Sequence, residues 1–252
     1  MSDGVTVYGL HAADAVLAHT PGRVLGAWLQ EGRDDARVAA IRTRCVDEGI
    51  AVQQVGRAEL DKLSGNARHQ GVVLRCRPAE AWNEAALKDL VQAGGRGLLL
   101  LVLDGVTDPH NLGACLRSAD AAGVHAVVAP RDRAAGLNPV ARKVASGAAE
   151  TVPFVQVTNL ARTLRWLRDQ GVWVIGAADE GADDLWTVDF NGPVALVMGA
   201  EGAGMRRLTR EHCDSLVRIP MAGAVESLNV SVATGVCLFE VVRQRRSGEG
   251  TS

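Results

Sequence analysis

Three polar clusters in this 252-residue chain hold residue types that could meet a charged or polar ligand. In the first, residues 103–128 (LDGVTDPHNLGACLRSADAAGVHAVV), Asn111 and Arg117 follow a polar turn. An arginine stays protonated and presents five N–H donors in a fork that matches phosphate or carboxylate. In the second, Gly199 to Met205 (GAEGAGM), three glycines let the backbone approach a ligand closely and take positive φ. Glu201 adds a fixed negative charge within that run. The third cluster, IPMAGAVESLNVSVATGVCLFEVVR, sets Ser227, Asn229 and Ser231 ahead of an apolar helix. Each cluster also has a plain structural reading. The glycine run can be a tight strand-to-helix connection, and Ser227 can be a helix N-cap. Neither a P-loop nor a full dinucleotide fingerprint is present, because no Gly-Lys-Ser/Thr follows the glycines and they do not open a first βαβ turn.

The elements around these clusters explain why they should meet. The run LLLLVLD at 98–104 is a buried strand and residues 105–110 form a turn. The spacing predicts a helix from near Asn111, capped by Asp108 or Asn111 and ended by Gly123. Leu112, Cys115, Leu116, Ala119 and Ala122 then form its apolar stripe. Gly113, Arg117 and Asp120 fall on another face, with Gly113 expected to leave an opening one turn before Arg117. From Gly97 on, the strands LLLLVLD, VHAVVAP, TVPFVQV, VWVIGAA, VALVMG and LVRIP alternate with a helix near 112–122, a segment near 138–147, a helix at 159–170 and a final helix near 227–245. Strands apolar on both faces with helices between them predict a parallel sheet in a three-layer α/β domain. Such sheets bind ligands at the C-terminal ends of their strands, which selects the loops after 103, 198 and 219. Residues 1–76 read as a separate small α/β unit, with strands VTVYG, RVLGAWLQ, AVQQV and VVLRC. Residues 77–96 read as a linker with one short helix, and 97–252 as the second domain.

Composition narrows the classes further. A hydrophobic fraction of 47% supports a substantial core, and a net charge of −2 gives no global attraction to nucleic acid. Three lysines stand against 24 arginines, a choice that suits phosphate and base contacts and that a GC-rich genome also produces. The longest apolar run is too short for a membrane span and the N-terminus lacks a secretory pattern, so a cytoplasmic, membrane-free protein is expected. Five scattered cysteines without a CxxC pair are expected as core thiols, and no metal site is expected.

The segments NLGACLRSADAAG, LVMGAEGAGM and IPMAGAVESLNVSVATG together resemble the three motifs of the SpoU/TrmH class of RNA ribose 2′-O-methyltransferases, in the SPOUT superfamily. The resemblance spans nearly the whole chain and is strongest to the bacterial 23S rRNA guanosine-2′-O-methyltransferases. It implies a C-terminal α/β domain with a deep trefoil knot, a homodimer, and S-adenosyl-L-methionine as methyl donor. Gly199, Ile219 and Leu228 are then implied cofactor contacts, with Met198, Met221 and Ser227 beside them. Arg117 is the implied activator of the 2′-hydroxyl, supported by Asn111, Glu201, Ser227 and Asn229. Because a guanidinium is a poor base, Arg117 is expected to grip the adjacent phosphate and orient the hydroxyl, with that phosphate receiving the proton. Glu201 could hold Arg117, orient a hydroxyl or balance the sulfonium.

The N-terminal unit resembles an L30e/L7Ae-like domain that helps select the rRNA. Arg68, His69 and Gln70 are its RNA-contact candidates, against a solvated turn, and the C-terminal RQRR segment at 243–246 is a further candidate, against a basic frayed end. The implied substrate is a guanosine in the P-site loop of 23S rRNA, as naked RNA or within an assembling large ribosomal subunit. A nicotinamide oxidoreductase and a ribosome-binding protein without catalysis are the competing readings. The missing dinucleotide fingerprint weighs against the first, and the presence of Asn111, Arg117, Glu201 and Asn229 against the second.

Overall fold

The computed structural model describes residues 4–33, 35–79 and 82–249. Two compact units divide the chain: Met1–Glu80 with Ser146–Thr151, and Ala81–Ala145 with Val152–Ser252.

In the first unit the chain runs β1 (Val5–Tyr8), α1 (Leu10–His19), β2 (Val24–Gln30), α2 (Ala36–Asp47), β3 (Val52–Val55), α3 (Arg57–Leu63) and β4 (Val72–Cys76). The sheet order is β1-β4-β2-β3, with β2 and β3 parallel and the other pairs antiparallel. Alternation along the strands puts Ala27, Leu29, Val72, Leu74 and Cys76 in one core with Leu10, Ala13 and Val16 of α1 and Val38, Ile41 and Cys45 of α2. The sequence pattern had not indicated α3. The polar cluster at 68–70 is largely structural. His69 is buried, its Nδ1 accepting from the Gly71 N–H and its Nε2 lying 3.0 Å from Asp61 Oδ1. Gln70 offers its Oε1 to the Leu10 N–H at the start of α1, where Gly9 has no capping side chain. Arg68 alone of the three is exposed.

In the second unit the chain continues with α4 (Glu84–Ala93), β5 (Leu99–Asp104), α5 (Pro109–Ala121), β6 (Ala126–Pro130) and α6 (Pro139–Ala145). After α7 (Ala148–Thr151), which belongs with the first unit, come β7 (Phe154–Val157), α8 (Leu160–Asp169), β8 (Trp173–Ala177) and β9 (Asp183–Asp184). β10 (Val194–Gly199), α9 (Arg207–Glu211), β11 (Ser215–Arg218) and α10 (Val230–Glu249) complete it. The segment expected near 138–147 is α6, which stops at Ala145 because Ser146 and Gly147 take φ of 51° and 101°. The stretch 77–96 holds α4, whose Leu87 and Val91 lie in the core of this unit.

Seven strands pair in the order β7-β6-β5-β10-β8-β11-β9, every pair parallel. On one face, Leu100, Val102, Val128, Val155, Val174 and Val197 pack with Leu87 of α4 and Leu160, Leu164 and Leu167 of α8. On the other, α10 rests on β10 and against α5. This is the expected three-layer parallel architecture. β10 lies between β5 and β8, so the loops after β5, β10, β8 and β11 all open at one edge of the sheet. The RQRR segment is inside α10, and Arg245 donates to the carbonyls of Phe190, Gly97, Leu98 and Gly192. Its role there is to satisfy chain ends around the sheet, not to form a basic tail.

Candidate active site

Helix α5 begins two residues earlier than expected. Asp108 is its N-cap, accepting from the His110 N–H at 2.9 Å, and Pro109 occupies the first helical position. That hydrogen bond holds the exposed Asp108 carboxyl below the usual carboxylate range. Capping by Asp108 leaves the Asn111 side chain free. The apolar stripe is as expected, with Leu112, Cys115, Leu116 and Ala119 buried and Ala122 partly so. Gly113, however, is no opening. It is buried under α6, and a Cβ there would come 2.6 Å from the Ala141 carbonyl oxygen and 2.7 Å from Val144 Cβ. Its missing side chain admits a neighbouring helix. Arg117 is exposed and, among the described residues, has no hydrogen-bond or ion-pair partner.

The glycine loop after β10 folds back on itself. Ala200 and Gly204 exchange backbone hydrogen bonds of 3.0 and 2.8 Å, and Gly202 and Gly204 take φ of 74° and 63°. A Cβ on Gly199 would meet the Gly204 carbonyl carbon at 2.3 Å, so the closure requires glycine there. Asp104, at the end of β5 and 1% exposed, anchors the far end of the loop. It accepts from the Arg206 N–H at 2.8 Å and pairs with Arg206 Nε at 2.7 Å.

In the third cluster the cap of α10 is Asn229, not Ser227. Asn229 Oδ1 accepts from the Ser231 N–H at 2.9 Å and the Ser231 hydroxyl at 2.6 Å. Its Nδ2 donates to Asn111 Oδ1 at 3.1 Å and to Glu201 Oε2 at 3.2 Å. Asn111 Nδ2 donates to the same Glu201 oxygen at 3.4 Å. Three side chains from the three clusters thus close a ring of hydrogen bonds. Packing of α10 on α5 brings them together, through Thr234 Oγ1 3.5 Å from Cys115 Sγ. Arg117 is outside this ring, six residues along α5 and therefore on a different face from Asn111.

Beside the ring is a cavity of about 340 Å³. Its walls include Met198, Gly199, Ile219, Met221, Ser227 and Leu228, every residue expected at a cofactor, and Glu201, which belongs to both features. Val217, Val230 and Ala233 extend the apolar part. The residues from Ala177 to Glu180 after β8, with Arg210 and Glu226, also line it and were not anticipated. The sequence AADEG after strand VWVIG carries a turn signal, but only the strand order shows that β8 flanks β10. A wider hollow, about 670 Å³, opens near Arg165, Arg168, Trp173 and His212 and holds none of the expected site residues.

A cavity of this size, with apolar side chains, backbone and several charged groups in its walls at the carboxyl ends of parallel strands, is the kind of site that takes a nucleoside with a charged end. The conformity of its walls to S-adenosylmethionine rests on that chemistry: an adenine is read by backbone groups in an apolar slot, and acidic residues suit a sulfonium.

Comparison with known proteins agrees in both units. The family model described as the SpoU rRNA Methylase family matches residues 98–239, and that for RNA 2′-O ribose methyltransferase substrate binding matches residues 6–82. The chain is 57% identical to the 23S rRNA (guanosine-2′-O-)-methyltransferase RlmB of Pseudomonas aeruginosa, over 97% of this chain and 98% of that one. To the protein of the same name from Escherichia coli it is 54% identical, over 95% and 98%. Among solved structures, the SpoU methyltransferase AviRb from Streptomyces viridochromogenes, in complex with the cofactor AdoMet, superposes with a TM-score of 0.75 at 27% identity. That match covers 97% of this chain and 92% of that one. With its three motif loops converging on one ring and one cavity, this chain belongs to the SpoU rRNA methylase family.

Proposed function

We propose that the protein methylates the ribose 2′-hydroxyl of a guanosine in 23S rRNA, using S-adenosyl-L-methionine. One observation carries the reading: Glu201 is shared by the Asn111–Glu201–Asn229 ring and by the cavity that all six expected cofactor residues line. When bound, the cofactor supplies an electrophilic methyl group on a sulfonium. Met198, Gly199, Ile219, Met221, Ser227 and Leu228 would hold it.

The protein's own task is to present the hydroxyl and dispose of its proton. In this reading Arg117, exposed and without a partner among the described residues, takes the phosphate next to the target ribose and fixes the sugar. Asn111 and Asn229 immobilise Glu201 through one carboxylate oxygen. Its other oxygen, without a partner among the described residues, is left to balance the positive sulfonium of the donor. The proton passes to the phosphate that Arg117 grips. Ser227, exposed and not needed as a cap, serves the cavity wall.

The N-terminal unit is proposed to select the rRNA, with Arg68 the exposed candidate. The knotted chain path, the P-site loop as target and the cytoplasm as location belong to the same reading. So does an assembling large subunit as partner. A homodimer is supported by α10, where Val232 and Phe239 lie seven residues apart on one stripe, 52% and 50% exposed. No helix among the described residues is long and apolar enough to cross a membrane.

The deciding experiment is 2′-O-methyl mapping of 23S rRNA from cells with and without this gene. A single guanosine that loses its methyl group, and regains it on complementation by the wild type but not by Asn111→Ala, is the expected result. An unchanged methylation map overturns the reading.

A further inference from the structure

The charged residues lining the cavity are unevenly divided. Asp179, Glu180, Glu201 and Glu226 are acidic, and Arg210 is the one cation among the lining residues. Arg210 forms an ion pair with Glu180 that spans from α9 to the loop after β8. Its guanidinium also lies against Gly204, 3.7 Å from where a Cβ would stand, so the glycine turn leaves it room over the cavity. Neighbouring arginines are engaged elsewhere: Arg206 with buried Asp104, Arg207 with Glu211 and Arg218 with Asp184. The Arg210 and Glu180 side chains are 37% and 52% exposed, a setting in which an ion pair contributes little to stability and exchanges partners readily.

We propose that Glu180 and Arg210 recognise the amino-acid end of the methyl donor, Arg210 taking its α-carboxylate and Glu180 its α-ammonium. This rests on the reading of the cavity as the S-adenosylmethionine site. A zwitterion set against an ion pair gives an alternating arrangement of four charges, and the fork of a guanidinium pairs with a carboxylate through two parallel hydrogen bonds. Without Arg210 the α-carboxylate would enter a cavity whose remaining charged groups are all acidic, a repulsive arrangement. The apolar walls at Met198, Ile219, Leu228 and Val230 serve the nucleoside, so the two ends of the ligand are read by different parts of the site. Glu180 and Arg210 are thus specificity residues for the donor, distinct in task from the ring that faces the hydroxyl.

Calorimetric titration with two probes tests this without turnover: S-adenosylhomocysteine, which carries the zwitterion, and 5′-methylthioadenosine, which lacks it. The wild type is expected to prefer S-adenosylhomocysteine. Arg210→Ala should weaken that ligand about tenfold while 5′-methylthioadenosine stays within about twofold. Glu180→Gln should narrow the preference in the same direction, and Arg210→Lys should restore part of it. Retained binding of 5′-methylthioadenosine reports an intact cavity in each variant. If Arg210→Ala weakens both probes equally, or neither, and Glu180→Gln does the same, the pair only staples two loops and the proposal is overturned. If the wild type binds neither probe, the cofactor reading of the cavity is what fails.

Discussion

Asn229 performs two functions with one amide: its oxygen closes the first turn of α10 and its nitrogen ties Asn111 to Glu201. The two functions separate by substitution. Asn229→Ala loses both, and is expected to cost about 1 kcal/mol of stability and about 100-fold in turnover. Asn229→Asp keeps the capping oxygen but sets a second carboxylate against Glu201, so the melting temperature should hold while methyl transfer falls comparably. Calorimetry and tritium transfer on the same preparations check this pair. The sequence pattern suggested Ser227 as cap, since a serine ahead of an apolar run is a good capping type, whereas the cap is Asn229, two residues later. Asn229 is also held by Asn111 and Glu201, residues far from it in sequence, and local pattern carries no signal of those bonds. The cysteines were more legible. Four of the five are buried, and burial raises Cys45, Cys76 and Cys115 to about 11 and Cys213 and Cys237 to about 12. An unfolded chain releases these thiol protons near pH 9 while the folded one retains them. Stability should therefore fall as pH rises from 9 through 11 to 12, seen as a lower urea midpoint at pH 10.5 than at pH 8.

Helix boundaries and helix contacts account for most of what the pattern missed. The stripe on α5 followed from spacing of 3.6, whereas the partner of its other face did not. Gly113 suggested space for a ligand, and it is space for α6. Gly113→Ala must push the Ala141 carbonyl or Val144 aside and is expected to cost about 1–3 kcal/mol. Gly235→Ala, 3.7 Å from Ser118 Oγ, should be tolerated, and parallel thermal melts of the two variants test the contrast. Arg245 teaches the same lesson at the end of α10. Its place in RQRR suggested a solvent-facing basic end, but four backbone carbonyls surround its guanidinium, and burial draws its pKa down. Arg245→Ala should destabilise the protein by about 2–3 kcal/mol with the affinity for S-adenosylhomocysteine unchanged in the folded fraction.

For the whole molecule, the class of architecture and three of the four loops at the sheet edge were legible, because continuous apolar strands separated by helices admit few arrangements. The order of the strands was not. Local sequence has no signal that β10 enters between β5 and β8, and it is this insertion that adds residues 177–180 to the cavity. The proposed dimer makes a prediction at this scale: Phe239→Asp, on the exposed stripe of α10, should halve the mass measured by light scattering while leaving the helical content of the monomer intact. The position of β10 also has a consequence during synthesis. β5 is made before residue 105 and β8 before residue 178, but the strand that joins them arrives only with residues 194–199. At about 5–20 residues per second, β5 waits about 5–19 s and β8 about 1–4 s with a hydrogen-bonding edge unfilled. A nascent chain stalled short of residue 190 should be digested readily by protease throughout its second unit, and one extended past α10 should resist. Half-made copies would therefore have no sheet centre around which the methyl-transfer site could assemble.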